Sequence, residues 1–288
     1  MTYQNVFIIG NPRSGTSLFR MLIGSHSSII VPPECGFIQW WYIRYKDWNV
    51  ENSKSDEAVF TFVSDLKTSK KIETWDLNYD ALKELIKKKL PTSYKELTSL
   101  VIFQYGLQKG KRAKFLGDKN NYYIEHLELL KTIYPKAKFL VIIRDPRDVV
   151  CSYLKVNSLK TDSKYKPKFP NNISEITLDW VENNTKILQF LNSIDAKNYA
   201  IIKYEELLIQ PQIELQKCTQ VLGLPFENQM LDYYQNNMEP SELLDWKKKT
   251  NQQIDKSNTN KYLEQLSSDE ILEINTISKD LMNTFNYN

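Results

Sequence analysis

VFIIGNPRSGTSLFRML, residues 6–22, is the stretch on which the fold turns. Residues 6–9 are a short apolar run rich in β-branched side chains, the composition of a strand buried on both faces of a parallel sheet. Gly10 ends it. Asn11, Pro12, Ser14 and Gly15 are turn formers, and Thr16 opens a segment with Leu18, Phe19, Leu22 and Ile23 at helical spacing. Strand, glycine-bounded turn and helix start make an anion cradle. The first N–H groups of a helix lack partners, its dipole favours negative charge, and glycine lets the backbone approach a phosphate.

The spacing from Gly10 to Gly15 is that of a Walker A loop, but Thr16 stands where the lysine belongs. That lysine neutralises the phosphates of a nucleoside triphosphate. Arg13 supplies the nearby cation here, so the loop reads as a binder of a shorter anionic tail. The plainer alternative is a helix start behind a glycine turn with no ligand.

A second motif lies in KFLVIIRDPRDVVCSYLK, residues 138–155. Residues 139–143 suit a buried parallel strand, and Asp145-Pro146 turns the chain into a helix with proline near its first position. Arg144 marks the strand's carboxyl end and Ser152 follows roughly two helical turns later. A guanidinium fork and a hydroxyl suit a phosphate monoester. Arg147 and Asp148 read as residues that hold the turn together. Asp145 ends its strand as a Walker B carboxylate would, yet Arg144 precedes it and the Walker A lysine is missing. No metal is therefore expected in catalysis.

Together, NPRSGTS before an apolar helix and the Arg144–Ser152 pair resemble the P-loop sulfotransferases, whose sulfuryl donor is 3′-phosphoadenosine 5′-phosphosulfate (PAPS) and whose by-product is adenosine 3′,5′-bisphosphate (PAP). The resemblance implies an α/β, P-loop-type three-layer fold, a central parallel sheet with helices on both faces, spanning residues 1–288 as one domain. Residues 35–112 fall where the family binds its acceptor. Arg13, Ser14, Gly15, Thr16 and Ser17 would hold the phosphosulfate, and Arg144 and Ser152 the 3′-phosphate. Lys119, in AKFLGDKNNYY, would touch the departing bridge oxygen and the sulfuryl group. Its alternative is a pairing with Asp118 or a neighbour. Tyr204, in a Tyr-Glu-x-Leu element, would lie near the donor or pack under the sheet, and Lys261-Tyr262 matches a lysine–aromatic pair that touches donor phosphates.

Glu34 divides the two lines of reasoning. Chemistry alone favours a surface glutamate at a helix start, although a carboxylate beside Phe37, Trp40, Trp41, Tyr42, Tyr45 and Trp48 can be made more basic by desolvation. In protein-tyrosine and several glycan sulfotransferases a glutamate at this distance from the loop arginine takes the acceptor's proton, so the resemblance selects Glu34 as base. Asn121 stands where the cytosolic small-molecule enzymes carry a catalytic histidine, which points the same way. His26, near the end of the first helix, reads as structural.

The remainder bounds the answer. Strands are expected at about residues 6–9, 113–117, 138–143 and 199–203, with a short one possible at 29–31. DLNYDALKELIKKKLP reads as an amphipathic helix with Leu82, Leu85, Ile86 and Leu90 on one face, and SYKELTSLVIFQYGLQKG as another, their lysines solvated. The aromatics at 37–48 either line a pocket or fill the core, and the lysine-bearing segment 156–173 is either a lid or a solvated loop. WKKKTNQQIDKSNTNKYLEQLSSDEI lacks regular period up to about Asn260, and Ser267–Glu270 has capping-box form. A net charge of +3 is too mild to argue for nucleic acid. Three cysteines and two histidines suit a reducing compartment without disulfides or zinc. No leader peptide and no run of membrane-span length is evident, so a cytoplasmic enzyme is expected, its oligomeric state open. The reading is sulfuryl transfer to a hydroxyl of a glycan, lipid, small metabolite or tyrosine. The alternatives are a small-molecule kinase using ATP-Mg and a non-catalytic nucleotide binder.

Overall fold

The computed structural model describes residues 3–111, 113–236 and 248–287. Its strands are β1 (Gln4–Ile9), β2 (Ile29–Ile30), β3 (Phe115–Lys119), β4 (Lys138–Ile143) and β5 (Tyr199–Lys203). They form one parallel sheet in the order β2-β3-β1-β4-β5. Helix α1 (Thr16–Gly24) follows β1. Between β2 and β3 lie α2 (Phe37–Tyr45), α3 (Val50–Lys54), α4 (Asp56–Lys67), α5 (Tyr79–Lys89) and α6 (Tyr94–Gln108). Then come α7 (Leu127–Ile133), α8 (Pro146–Ser158), α9 (Ile173–Asn192), α10 (Tyr204–Ile209), α11 (Pro211–Leu222), α12 (Tyr262–Gln265) and α13 (Ser268–Thr284).

The alternation of side chains along each strand sorts the core into two layers. Phe7 and Ile9 join Phe139 and Val141 on one face, with residues of α6 to α9 and α13. Val6 and Ile8 join Leu140 and Ile142 on the other, with α1, α10 and α11. This is the three-layer architecture expected for a sheet whose strands read as unbroken apolar runs. After β1 the chain serves β2 and β3 on one side, then crosses to β4 and β5. The loops at the strands' carboxyl ends therefore diverge around β1, where open parallel sheets bind ligands.

Three local expectations change. Gly117-Asp118 does not break β3, because Val6–Ile8 continue to pair with Gly117–Lys119. Gly117 is there for close packing: a Cβ would lie 2.9 Å from Val31 Cγ2 and 3.0 Å from Val6 Cγ1. Helix α6 is not amphipathic but buried without a break from Leu97 to Gly106, since α5, α2, β2 and β3 pack against it. A Cβ on its Gly106 would collide with Ile30. The aromatic stretch divides: Phe37, Tyr45 and Trp48 belong to the core, whereas Trp40 is half-exposed. By contrast, α5 buries Leu82 and Ile86 as read, with Leu85 half-buried and Leu90 outside the helix as its left-handed C-cap, and Ser267 and Glu270 close the capping box of α13. Arg112, Trp246 and Lys247, which fall in stretches read above, lie outside the described residues.

All three cysteines are buried free thiols. Among the described residues no helix is long and apolar enough to cross a membrane. Trp180 of α9 ties the sheet to the C-terminal helix: it is fully buried, stands edge-on to Phe285 and donates its Nε1–H to the Arg144 carbonyl at 3.0 Å. Trp180→Ala should cost about 3–5 kcal/mol, read as a lower denaturant midpoint with an unchanged slope.

Candidate active site

The loop between β1 and α1 is held from below. Asn11 is wholly buried; its Nδ2 donates to the Pro12 carbonyl (2.8 Å) and Tyr153 Oη (3.3 Å), and its Oδ1 accepts from Asn183 Nδ2 at 2.8 Å. Ser14 N–H closes the turn onto the Asn11 carbonyl at 3.1 Å. Arg13 and Gly15 both take positive φ, 69° and 88°. At Gly15 this excludes other residues twice over, because a Cβ would also lie 2.3 Å from Tyr204 Cδ2. Gly15 caps α1, which starts without an acidic residue in its first turn. Its N-terminal N–H groups and dipole are thus left for an external anion.

Arg144, at the end of β4, organises the other side. Its Nη1 donates to the Arg13 carbonyl (3.0 Å) and its Nη2 to the Asn258 carbonyl (3.3 Å), with Asp148 Oδ2 at 3.5 Å. The guanidinium lies 4.5 Å over the Tyr204 ring. Its Nε, though buried, has no partner. Ser152 Oγ accepts from Arg13 Nε at 3.0 Å, so loop and helix α8 meet through the residues assigned to the donor. Desolvation first, and Arg144 second, pull Arg13 down to about 10. Asp148 does more than hold its turn. Its carboxylate accepts from the backbone N–H groups of Asn260 (3.0 Å), Lys261 (2.8 Å) and Tyr262 (3.3 Å), which draws the distant C-terminal segment onto the site. Arg147 pairs instead with Asp145, Nε to Oδ1 at 2.9 Å and Nη2 to Oδ2 at 2.6 Å.

Glu34 is not a surface residue. It is 8% exposed, and Lys119 Nζ donates to its Oε2 at 2.6 Å. Lys71 Nζ donates to its Oε1 at 2.7 Å. The alternative pairing of Lys119 with Asp118 is confined to the backbone, where Asp118 Oδ1 accepts from Lys119 N–H at 2.7 Å while Oδ2 accepts from Tyr123. Burial pushes the Asp118 carboxyl up to about 7. Lys71 carries no sequence signal: it sits in a polar run and meets Glu34 from a left-handed backbone. His26 is structural, its ring bonded to the Pro225 carbonyl and the Ser28 N–H.

These groups share one cavity of about 1000 Å³, lined by Arg13, Gly15, Thr16, Ser17, Glu34, Lys119, Arg144, Ser152, Tyr204 and Lys261, with Trp40 and Lys71. Ser14 is the exception: it is buried beneath the loop, its Oγ without a partner. Tyr204 packs under Gly15 and also lines the cavity. Thr16 Oγ1 donates to Asn121 Oδ1 at 3.3 Å. The lysine segment forms a wall, with Lys164 at 3.1 Å from Glu73, Tyr165 bonded to the same carboxylate and Lys166 donating to the Leu159 carbonyl at 2.6 Å. Ten basic and four acidic side chains line the cavity, so the positive charge of the chain is concentrated there. Among the described residues there is no cluster of three metal-ligating side chains.

Comparison with known proteins agrees with this layout. The model of the sulfotransferase family matches residues 5–228. Protein-tyrosine sulfotransferase A of Caenorhabditis elegans is 22% identical over 243 residues, 80% of this chain and 52% of that protein. The omega-hydroxy-beta-dihydromenaquinone-9 sulfotransferase of Mycobacterium tuberculosis is 22% identical over 252 residues, 76% of this chain and 62% of that one. The chain thus spans about half to two thirds of these curated relatives. The sulfotransferase domain of the Synechococcus PCC 7002 olefin synthase shares the fold with a TM-score of 0.66, at 18% identity, over 100% of this chain and 96% of that domain. A mouse sulfotransferase solved with PAP superposes at 0.50 and 15% identity, over 98% and 86%. The match over residues 5–228 takes in the β1 loop, Glu34, Lys119, the Arg144 motif and Tyr204, and with it the chain belongs to the sulfotransferase family.

Proposed function

We propose that this chain transfers a sulfuryl group from PAPS to an acceptor hydroxyl, with Glu34 as general base. One observation carries the reading: a lysine-free phosphate loop, a buried arginine with an unpartnered Nε and a buried Glu34–Lys119 pair line the same cavity. The polyanionic donor suits ten basic side chains, and the PAP complex of the mouse relative supports the same donor class. Arg13, Gly15, Thr16 and Ser17 hold its phosphosulfate end. Arg144, Ser152, Tyr204 and Lys261 hold the end that bears the 3′-phosphate, where the Arg144 Nε finds its missing acceptor.

Bound PAPS supplies an activated sulfuryl group on a good leaving phosphate. Glu34 takes the acceptor's hydroxyl proton on a carboxylate oxygen. Arg13 and Lys119 stabilise the charge that develops on the leaving oxygen. Asp145 is saturated by Arg147 and so is ill placed to serve a metal. Residues 35–112, with Trp40 at the cavity wall, supply the acceptor side. By their names the relatives act on a protein tyrosine and on a menaquinone hydroxyl, so the acceptor class here is drawn no more narrowly than a hydroxyl-bearing glycan, lipid, small metabolite or tyrosine. A cytoplasmic setting belongs to the same reading and is supported by the three free thiols.

Calorimetry tests the donor site. PAP should bind more tightly than ADP or ATP-Mg, and Arg144→Ala should weaken PAP by about 10- to 100-fold through loss of a charge-assisted contact. Gly15→Ala should weaken it as well, by driving Tyr204 from its place. Preference for ATP-Mg with Arg144→Ala unaffected would sink the reading. For the chemistry, Glu34→Gln should lower PAPS turnover by about 10²–10⁴-fold while PAP affinity stays within about threefold. Full activity in that variant would remove Glu34 from the role of base.

A further inference from the structure

Two ammonium groups hold one buried carboxylate at this site, and they come from different parts of the chain. Lys119 is the last residue of β3, and its side chain is 1% exposed. Lys71 belongs to the unit that carries Glu34 itself. It precedes a short 3₁₀ turn (Ile72–Trp75), and Trp75 Nε1 donates to the Pro33 carbonyl at 2.8 Å, one residue before Glu34. On the other flank Trp41 Nε1 donates to Ser69 Oγ at 2.8 Å, and Ile72 N–H to the Ser69 carbonyl at 3.1 Å. The Lys71 carbonyl accepts from Thr74 N–H (3.0 Å) and Oγ1 (2.7 Å). These bonds over-determine a residue whose φ of +74° is unfavourable for a lysine. Lys71 and Glu34 therefore form one preset pair, to which Lys119 is added from the sheet.

The roles above ask two things of Lys119. It must meet the anionic end of the donor, and it holds Glu34 at 2.6 Å. A carboxylate so deeply buried is costly to leave without a counter-charge. We propose that Lys71 is a positioning residue that resolves this conflict: it keeps the Glu34 carboxylate compensated and aimed while the donor takes Lys119. The inference rests on the sulfuryl-transfer reading, because it is the donor that recruits Lys119.

The consequence is a competition that can be read with PAP alone, without an identified acceptor. PAP affinity is measured by calorimetry at about pH 8, above the ordinary carboxylate range. Lys71→Met keeps the length of the side chain and removes its charge, so Glu34 retains Lys119 against the ligand. PAP should bind about tenfold more weakly. Adding Glu34→Gln removes the competitor, so the double variant should return to within about threefold of wild type. Lys71→Arg, which keeps a cation, should bind like wild type. Unchanged affinity in Lys71→Met overturns the proposal. So does a loss that persists in the double variant, since Lys71 would then touch the ligand or merely support the fold. A wild-type protein that fails to bind PAP overturns the donor site first, which is a different result from either.

Discussion

The buried pair of Glu34 and Lys119 is the constraint around which the site is arranged. Taking either charge out of water alone costs several kcal/mol, and here each is compensated inside the protein, Glu34 by Lys119 and by Lys71. The pair pins the loop after β2 to the end of β3, and thereby fixes where the helices between β2 and β3 stand against the sheet. The neighbouring groups follow from it. Asp118 turns its carboxylate to the Lys119 N–H and the Tyr123 hydroxyl rather than to the Lys119 ammonium, which leaves that ammonium for Glu34. Lys71 then brings a second cation, so the centre carries excess positive charge at the point where an anionic group is to be received.

On the donor side the same physics runs with the sign reversed. Arg13 and Arg144 are neighbouring cations in a poorly solvated wall, where burial first and Arg144 second depress Arg13. Their geometry is held by neutral or remote partners: the Arg13 carbonyl, the Ser152 hydroxyl, the Tyr204 ring and the Asp148 carboxylate. A site built this way is preorganised for a polyanion, because binding relieves repulsion that folding has already imposed.

Much of this arrangement is visible in one dimension. Residues 6–9 and 139–143 announce buried parallel strands because both faces of each strand need apolar side chains. The turns after them announce anion sites because glycine, proline and hydroxyl residues stand at set positions. What the sequence conceals is long-range. Nothing in YKELTSLVIFQYG says that α6 is enclosed from Leu97 to Gly106, since that depends on which elements close over it. Asp148 reads as a local turn residue because its partners are more than a hundred positions away. Lys71 is hidden for a different reason. It meets Glu34 from a left-handed backbone, and a lysine gives no hint of one, whereas the positive φ at Gly15 is written in the residue itself. Glu34 lies between these cases: its type and its aromatic surroundings are evident, but only the resemblance distinguished a base from a surface glutamate.

The connection between β2 and β3 has a consequence for how such a molecule can change. All of α2 to α6 is inserted in that single crossover, and it leaves from a two-residue strand at the margin of the sheet. The central strands β1 and β4, which carry the phosphate loop and Arg144, are threaded before and after it. A lineage can therefore rewrite much of the exposed surface of α2 to α5 without altering β1 or β4, although α6 is bound to β2 and β3 and, through Ser99, to Asn5 of β1. Its freedom ends at a few seams: Glu34 and Lys71 against Lys119, and Glu73 against Tyr165 and Lys164. Divergence should be fastest between those seams and slowest at them, a pattern that arises from topology before selection for any particular substrate.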